Sequence, residues 1–264
     1  MKIPMYLIDA FAPAVFSGNP AGVCPLERWL PEATMQSIAA ENNQAETAFF
    51  VPRAPGDRDT DYDLRWFTPE NEVDLCGHAT LASGYIVFTR LDPSRQDVTF
   101  HTRSGPLTVR RAGDDLSMDF PSRPPERCEP PAGIEAALGA SPREMWKSRD
   151  LMAVFDTEQA VRAVRPSFDH IRALGGFGLI VTAPGIEVDF VSRFFAPLQG
   201  VPEDPATGSS HCTLIPYWAK RLGRPKLRAR QISKRGGEFT CEDRGARVTI
   251  AGRAFQYLEG VIEV

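Results

Sequence analysis

Two stretches of this chain carry one pattern: Asp61–Pro69 reads DYDLRWFTP and Asp189–Pro197 reads DFVSRFFAP. At one constant offset Asp61/Asp189, Arg65/Arg193, Phe67/Phe195 and Pro69/Pro197 coincide, and Tyr62/Phe190 and Trp66/Phe194 are aromatic in both copies. An Ala-Pro-Gly turn precedes each copy, at Ala54–Gly56 and Ala183–Gly185, and a small-residue turn with an apolar, helix-like run follows. A solenoid needs three or more units, so one repeat near half the chain length predicts two similar lobes. The most polar and reactive residues follow each copy, which predicts a small-molecule site in a cleft between the lobes.

The bulk numbers narrow the class. A chain of 264 residues, 42% hydrophobic and 24% charged, suits one large or two average soluble domains. A net charge of −4 argues against a nucleic-acid footprint. The basic stretch 221–234 alternates with apolar residues and reads as the solvated face of a strand. No apolar run reaches membrane-spanning length and no secretory leader is legible, so no membrane partner is expected. The five cysteines, Cys24, Cys76, Cys128, Cys212 and Cys241, form no pairing pattern and predict free thiols in a reducing cytoplasm.

Along the chain, 3–11 reads as a strand, 31–43 as a helix, and 47–51 and 61–67 as strands. A helix is predicted over 77–90, and strands over 98–111 and 116–120. The proline-rich segment 121–131 is the best candidate linker. Beyond it come a short helix at 134–138, a strand at 151–155, helical structure over 160–174 broken near Pro166, strands at 178–182 and 188–195, and a helix over 209–222. Strands dominate from 227 to the end. The expected domains are 1–120, to which a strand at about 252–264 returns, and 121–251. The alternation predicts an α+β lobe in which a sheet curls round one helix.

Three segments offer chemistry. Glu46 sits at a helix-to-strand junction beside apolar Ala48–Val51, a setting that raises a carboxyl's proton affinity and suits acid/base work. The position at the same distance before the second Ala-Pro-Gly turn is Gly175, so the acid exists in one copy only. Asp74–Thr80 places Gly77 just before a helix, whose free N–H groups can hold a carboxylate, and His78 at the positive helix end is expected to be neutral. In 203–211, Thr207, Gly208 and Ser209 open another helix that can bind an anion. Cys76 and Asp204 lie equally far from Phe67 and Phe195 and are expected to be equivalent. Helix capping and core packing explain the same residues without a ligand. A zinc finger from Cys76, His78, His211 and Cys212 fails on spacing, and Gly175–Gly178 is a helix stop, not a dinucleotide loop.

The ordered set Ile8-Asp9-Ala10-Phe11, Gly18-Asn19-Pro20-Ala21, Glu46-Thr47, Arg65–Pro69, Gly77–Thr80 and Glu203–Ser209 resembles the PhzF family of phenazine-biosynthesis isomerase-like proteins, within the diaminopimelate epimerase fold. The resemblance implies two pseudo-symmetric lobes, each a curled mixed β-sheet around a central helix. It implies no metal and no organic cofactor, a small carboxylate substrate and a homodimer. Glu46 would shuttle a proton between substrate carbons, with His78 and Asp204 as further catalytic groups. Asn19, Cys76, Gly77, Thr207, Gly208 and Ser209 would bind substrate. Diaminopimelate-type epimerases use two facing cysteines; here Cys76 resembles the first and Asp204 replaces the second, a pair whose pKa values differ by several units. An epimerase or racemase using Cys76 with Asp204 or Glu46, and a non-catalytic small-acid binder, are the competing readings.

Overall fold

The computed structural model describes residues 1–53 and 60–264, so the expected turn at Ala54–Gly56 lies outside the described residues. In chain order the elements are β1 (Lys2–Ala10), β2 (Asn19–Pro25), α1 (Glu32–Asn42), β3 (Glu46–Pro52), β4 (Tyr62–Phe67), β5 (Glu72–Val73), α2 (Gly77–Ile86), β6 (Asp97–Thr102), β7 (Gly105–Ala112) and β8 (Asp115–Pro121). There follow β9 (Glu126–Cys128), α3 (Ile134–Leu138), β10 (Glu144–Lys147), β11 (Leu151–Val154), α4 (Glu158–Ala163), α5 (Phe168–Leu174), β12 (Leu179–Pro184), β13 (Phe190–Ala196), β14 (Val201–Asp204), α6 (Gly208–Leu222), β15 (Lys226–Gln231), β16 (Gly237–Asp243), β17 (Arg247–Gly252) and β18 (Ala254–Glu263). The molecule is α+β, with many strands in a mixed sheet and few helices. Its chain divides into one unit of Met1–Asp119 with Ala251–Val264 and a second of Phe120–Ile250.

The repeat becomes a repeated strand path. In the first unit β18–β1–β2 run antiparallel, β2–β3 parallel, β3–β4 antiparallel, β4–β6 parallel and β6–β7 antiparallel. In the second, β9–β10–β11, β11–β12, β12–β13, β13–β15 and β15–β16 follow the same sequence of directions. The coinciding residues fix that path. Asp61 exchanges two hydrogen bonds with Thr99 of β6: its N–H donates to Thr99 O (2.7 Å), and its carboxylate accepts from Thr99 N (2.8 Å). Asp189 does the same with Arg228 of β15, at 2.9 and 2.7 Å. Each aspartate thus pins the parallel neighbour that a chain crossover must deliver.

The repeated arginines are a second shared device. Arg65 grips Glu72 through Nε and Nη2, both at 2.7 Å, and lies 5.2 Å from the Phe67 ring centre. Arg193 grips Glu203 the same way, at 2.7 and 3.0 Å, and lies 5.0 Å from Phe195. Two parallel N–H···O bonds fix the fork in one plane, so each arginine ties its strand to the segment that leads into the next helix.

Each such helix is the buried centre of its unit. α2 is buried from His78 to Gly84 and again at Ile86, and packs on β1, β2, β3 and β7. Gly84 permits the approach to β7, because a Cβ there would meet Val109 at 2.7 Å. α6 is buried over nearly every residue from Gly208 to Ala219 and rests on β15 and β16. Its Trp218 stacks on Phe190 at 5.7 Å and donates Nε1–H to Thr182 Oγ1 at 3.0 Å, so a large apolar side chain, whose burial is worth about 3 kcal/mol, is placed without an orphaned donor.

Several local expectations change. The segment predicted as a linker contains β9, which pairs with β10: proline is excluded from strand interiors, but Glu126–Cys128 lies between the prolines. The helix predicted over 160–174 is α4 and α5, parted at Pro166, which lacks an N–H. The helix over 77–90 ends its regular part at Ile86 and widens into a π-turn at Val87–Leu91. In β15 burial alternates, with Lys226 and Arg228 outward, as the charge pattern requires.

Candidate active site

Asn42 and Asn43 end α1, and Asn43 takes the left-handed φ of 48° that turns the chain into β3. Glu46 is the first residue of β3, opposite Ala21 of β2. Its side chain is 16% exposed, and its Oε2 lies 3.2 Å from His78 Nε2. The pair is at ion-pair distance without the alignment of a regular hydrogen bond, so Oε2 is buried with its accepting capacity unspent. Cys76, the residue before α2, brings Sγ to 3.5 Å from His78 Nδ1. A carboxylate, an imidazole and a thiol therefore meet at the opening of α2.

Charge is set within this triad. Burial alone lowers the His78 pKa, but the Cys76 sulfur and the Glu46 carboxylate outweigh it and leave His78 well above its usual value. Burial, with the same carboxylate, pushes the Cys76 thiol up to about 11. The imidazole stands between the Cys76 sulfur on Nδ1 and the Glu46 carboxylate on Nε2, and both favour its protonated form. The bias toward a neutral His78 expected from the helix end is reversed: a helix end carries half a charge at most, and the Cys76 sulfur and the Glu46 carboxylate against the ring outweigh it. The three donor atoms lie within 4.8 Å of one another. One thiol, one imidazole and one carboxylate could hold a metal ion as well as pass protons, since a bound zinc would itself deprotonate the thiol.

The opening of α6 is built differently. Thr207 precedes the helix and donates its hydroxyl to Asp204 Oδ2; its N–H donates to Gln231 Oε1 at 2.9 Å. Gln231 Nε2 returns to Asp204 O at 2.6 Å and Thr207 Oγ1 at 3.1 Å. Ser209 accepts from Arg149 Nη2 at 3.1 Å. His211, fully buried, holds Nδ1 2.8 Å from Thr207 O and stacks on Phe239 at 3.9 Å. Burial pushes it down to about 4, so it is neutral.

The equal counts from the repeated phenylalanines mislead about Cys76 and Asp204. A 3-10 turn of 3 residues, Pro197–Gln199, follows the second copy. It displaces what comes after, so Thr207, not Asp204, stands immediately before the helix as Cys76 does. Ser209 then takes the place of His78. The arginine partners Glu72 and Glu203 carry the same displacement, which is the sequence signal that would have revealed it. Asn19 is fully buried at the start of β2, opposite Ala10. The preceding Gly18 has φ +66°, and a Cβ there would lie 2.3 Å from Ala10 O, so this turn requires glycine. Arg149 and Gln231 were not singled out by the sequence; each sits in an unremarkable polar context.

Strand directions, buried helices and reactive helix openings define the class: a racemase- and epimerase-like α+β fold. A hydroxyproline epimerase from Agrobacterium vitis, 11% identical, matches 99% of this chain and 92% of its own with a TM-score of 0.62, which shows the fold alone. The model of the phenazine biosynthesis-like protein family matches residues 8–260, and the chain belongs to that family. An uncharacterized isomerase of Pseudomonas aeruginosa is 48% identical over the whole of both chains. The crystal structure of a PhzF-family protein from Enterococcus faecalis is 47% identical, covers both chains completely and superposes with a TM-score of 0.96. The resemblance drawn from the ordered motifs is therefore correct at the level of an isomerase family. No helix among the described residues is long and apolar enough to cross a membrane.

Proposed function

We propose that this chain is an isomerase that moves a proton within a small carboxylate substrate, with Glu46 as the acid/base. The observation that carries the reading is the contact between Glu46 and His78 at the buried opening of α2. The Glu46 carboxylate removes a proton from a carbon next to an unsaturated or carbonyl group. The His78 imidazolium and the α2 N–H groups stabilise the enolate that forms, as an oxyanion site does. Glu46, now protonated, returns the proton to another carbon of the same conjugated system, so no atom is gained or lost. That Ser209, Thr207 and Asp204 at the α6 opening serve the same substrate is part of this proposal and is supported by the repeat and the family. So are a homodimer, a cytoplasmic setting and a reaction without metal or cofactor; exhaustive chelation and dialysis should leave turnover unchanged.

The test is proton exchange in deuterated water with a panel of small unsaturated carboxylic acids, followed by NMR. Wild-type protein should shift a double bond or carbonyl in at least one of them, and Glu46→Gln should not. Full turnover in Glu46→Gln removes the proposal. The epimerase reading keeps one observation, the Cys76 sulfur 3.5 Å from His78; it requires solvent label at a stereocentre and a crippled Cys76→Ser. A binder would show ligand-induced shifts and no exchange at all.

A further inference from the structure

Outside the triad the most unusual charge arrangement lies in the second unit, at the turn between β10 and β11. Arg149 lies there with its guanidinium carbon 3.9 Å from the Phe177 ring centre, the distance of a close cation–π stack. Nη2 donates to Ser209 Oγ at 3.1 Å. Nε approaches Asp150 Oδ1 only to 3.5 Å and makes no hydrogen bond. Asp150 is 1% exposed, and neither of its carboxylate oxygens accepts a hydrogen bond. A second guanidinium, that of Arg123, acts on the same carboxylate; its Nη1 is buried and also without an acceptor. Arg123 is tied into this place by its own N–H, which donates to Cys212 O of α6 at 2.9 Å.

Two guanidinium groups thus act on one buried carboxylate. Of the five N–H donors of Arg149, one is spent, on a serine hydroxyl that is itself partly exposed. A buttress for Ser209 needs neither the charge nor the other donors, and a lysine or a glutamine would serve. What a planar, stacked, partly exposed fork does better than any other side chain is bind a planar acid through two parallel hydrogen bonds. We propose that Arg149 is a specificity-determining residue of the isomerase, gripping a carboxylate of the substrate together with Ser209, while Phe177 and Asp150 hold the guanidinium in place. The proposal rests on the isomerase reading only in taking the substrate to reach Ser209. It assigns anion recognition to the second unit and proton transfer to the first.

The test is an NMR titration of the full-length protein, reading the Arg149 side-chain N–H groups and the Ser209 amide. The probes are acetate, malonate and benzoate, with acetamide as the neutral counterpart and inorganic phosphate as the competing anion. Carboxylates should give saturable shifts at both residues and acetamide none. Arg149→Met should weaken the best carboxylate about tenfold or more, the loss expected for a charge-assisted pair, and Arg149→Lys should recover only part of it. Because Arg149→Met leaves Asp150 with one cation fewer, the double variant Arg149→Met/Asp150→Asn is measured alongside and should bind as weakly while melting near the wild type. Carboxylate binding that survives in Arg149→Met, or the absence of saturable shifts with all three acids, overturns the proposal. Phosphate binding more tightly than every carboxylate overturns it too, since the group recognised would then be tetrahedral. None of these results touches proton transfer by Glu46, which the exchange experiment judges alone.

Discussion

The two helix openings share a frame and differ in everything reactive. Both follow an aspartate that pins a parallel strand and an arginine clamped to a glutamate. Yet the α2 opening carries Cys76, His78 and the incoming Glu46, while the α6 opening carries Thr207, Ser209 and Arg149. A carboxylate, an imidazole and a thiol meet on one side, and hydroxyls beside a guanidinium on the other. A duplicated scaffold preserves what holds the strands in register; the residues at its helix openings are free to take up different chemistry. The two buried histidines make the point in miniature: His78, between a sulfur and a carboxylate, is pushed well above its usual value, and His211, against a carbonyl and aromatic rings, is pushed down to about 4.

The strongest way to break this asymmetry is to remove the reactive group on each side. Glu46→Gln should cost about 10²–10⁴-fold in turnover, and Ser209→Ala far less, mostly in KM; equal losses in kcat would show that both openings do chemistry. Next comes the pH dependence of stability. His211 is about 2.5 units below the usual histidine value, so the unfolded chain binds the extra proton first. Stability present above pH about 6.5 should fall as the pH drops toward about 4, by about 3 kcal/mol. Urea unfolding at several pH values should show that loss, and His211→Phe should flatten it. His78 has the opposite sign: its contribution is complete below pH about 6.5 and disappears as the pH rises through its raised pKa, so His78→Gln should weaken the protein more at pH 6 than on the alkaline side. Smaller, and equal in the two units, should be the loss of either clamp. Arg65→Met and Arg193→Met should each cost about 2 kcal/mol, between the exposed and the fully buried limits for an ion pair; a large difference in urea midpoints would show that one clamp is ornamental. Least of all, Cys76→Ser should lower turnover by less than about tenfold, because a thiol held near 11 is mostly protonated in the working range.

Much of this was legible in the amino acids, and the exceptions have physical causes. The repeat exposed the duplicated strand path because Asp61, Arg65 and Phe67 each do one structural job that their counterparts repeat. Glu46 and His78 were legible as reactive types beside a helix start, but their contact was not, since the turns between them set the distance. The charge of His78 was misread because the helix end is a local cue and the opposing carboxylate comes from another strand. Cys76 and Asp204 were paired wrongly because a count along the chain cannot feel a short 3-10 turn inserted in one copy. Arg149 escaped altogether: what distinguishes it is one ring, one serine and one buried carboxylate, none of which its neighbours in sequence announce beyond Asp150.

The final strand, β18, lies against β1, and the backbone N–H of Val264 donates to the carbonyl of Met1 at 2.9 Å. The chain is therefore a ring in all but covalent connection, with the second unit spliced into the first. A short flexible tether across the two ends, with new ends opened between β8 and β9, would give a permuted chain in which each unit is synthesised in one uninterrupted piece. In the natural order β1 meets β2 at once but its second neighbour β18 only after almost every other residue has been made, and the permuted order removes that delay without altering a single side chain of either helix opening.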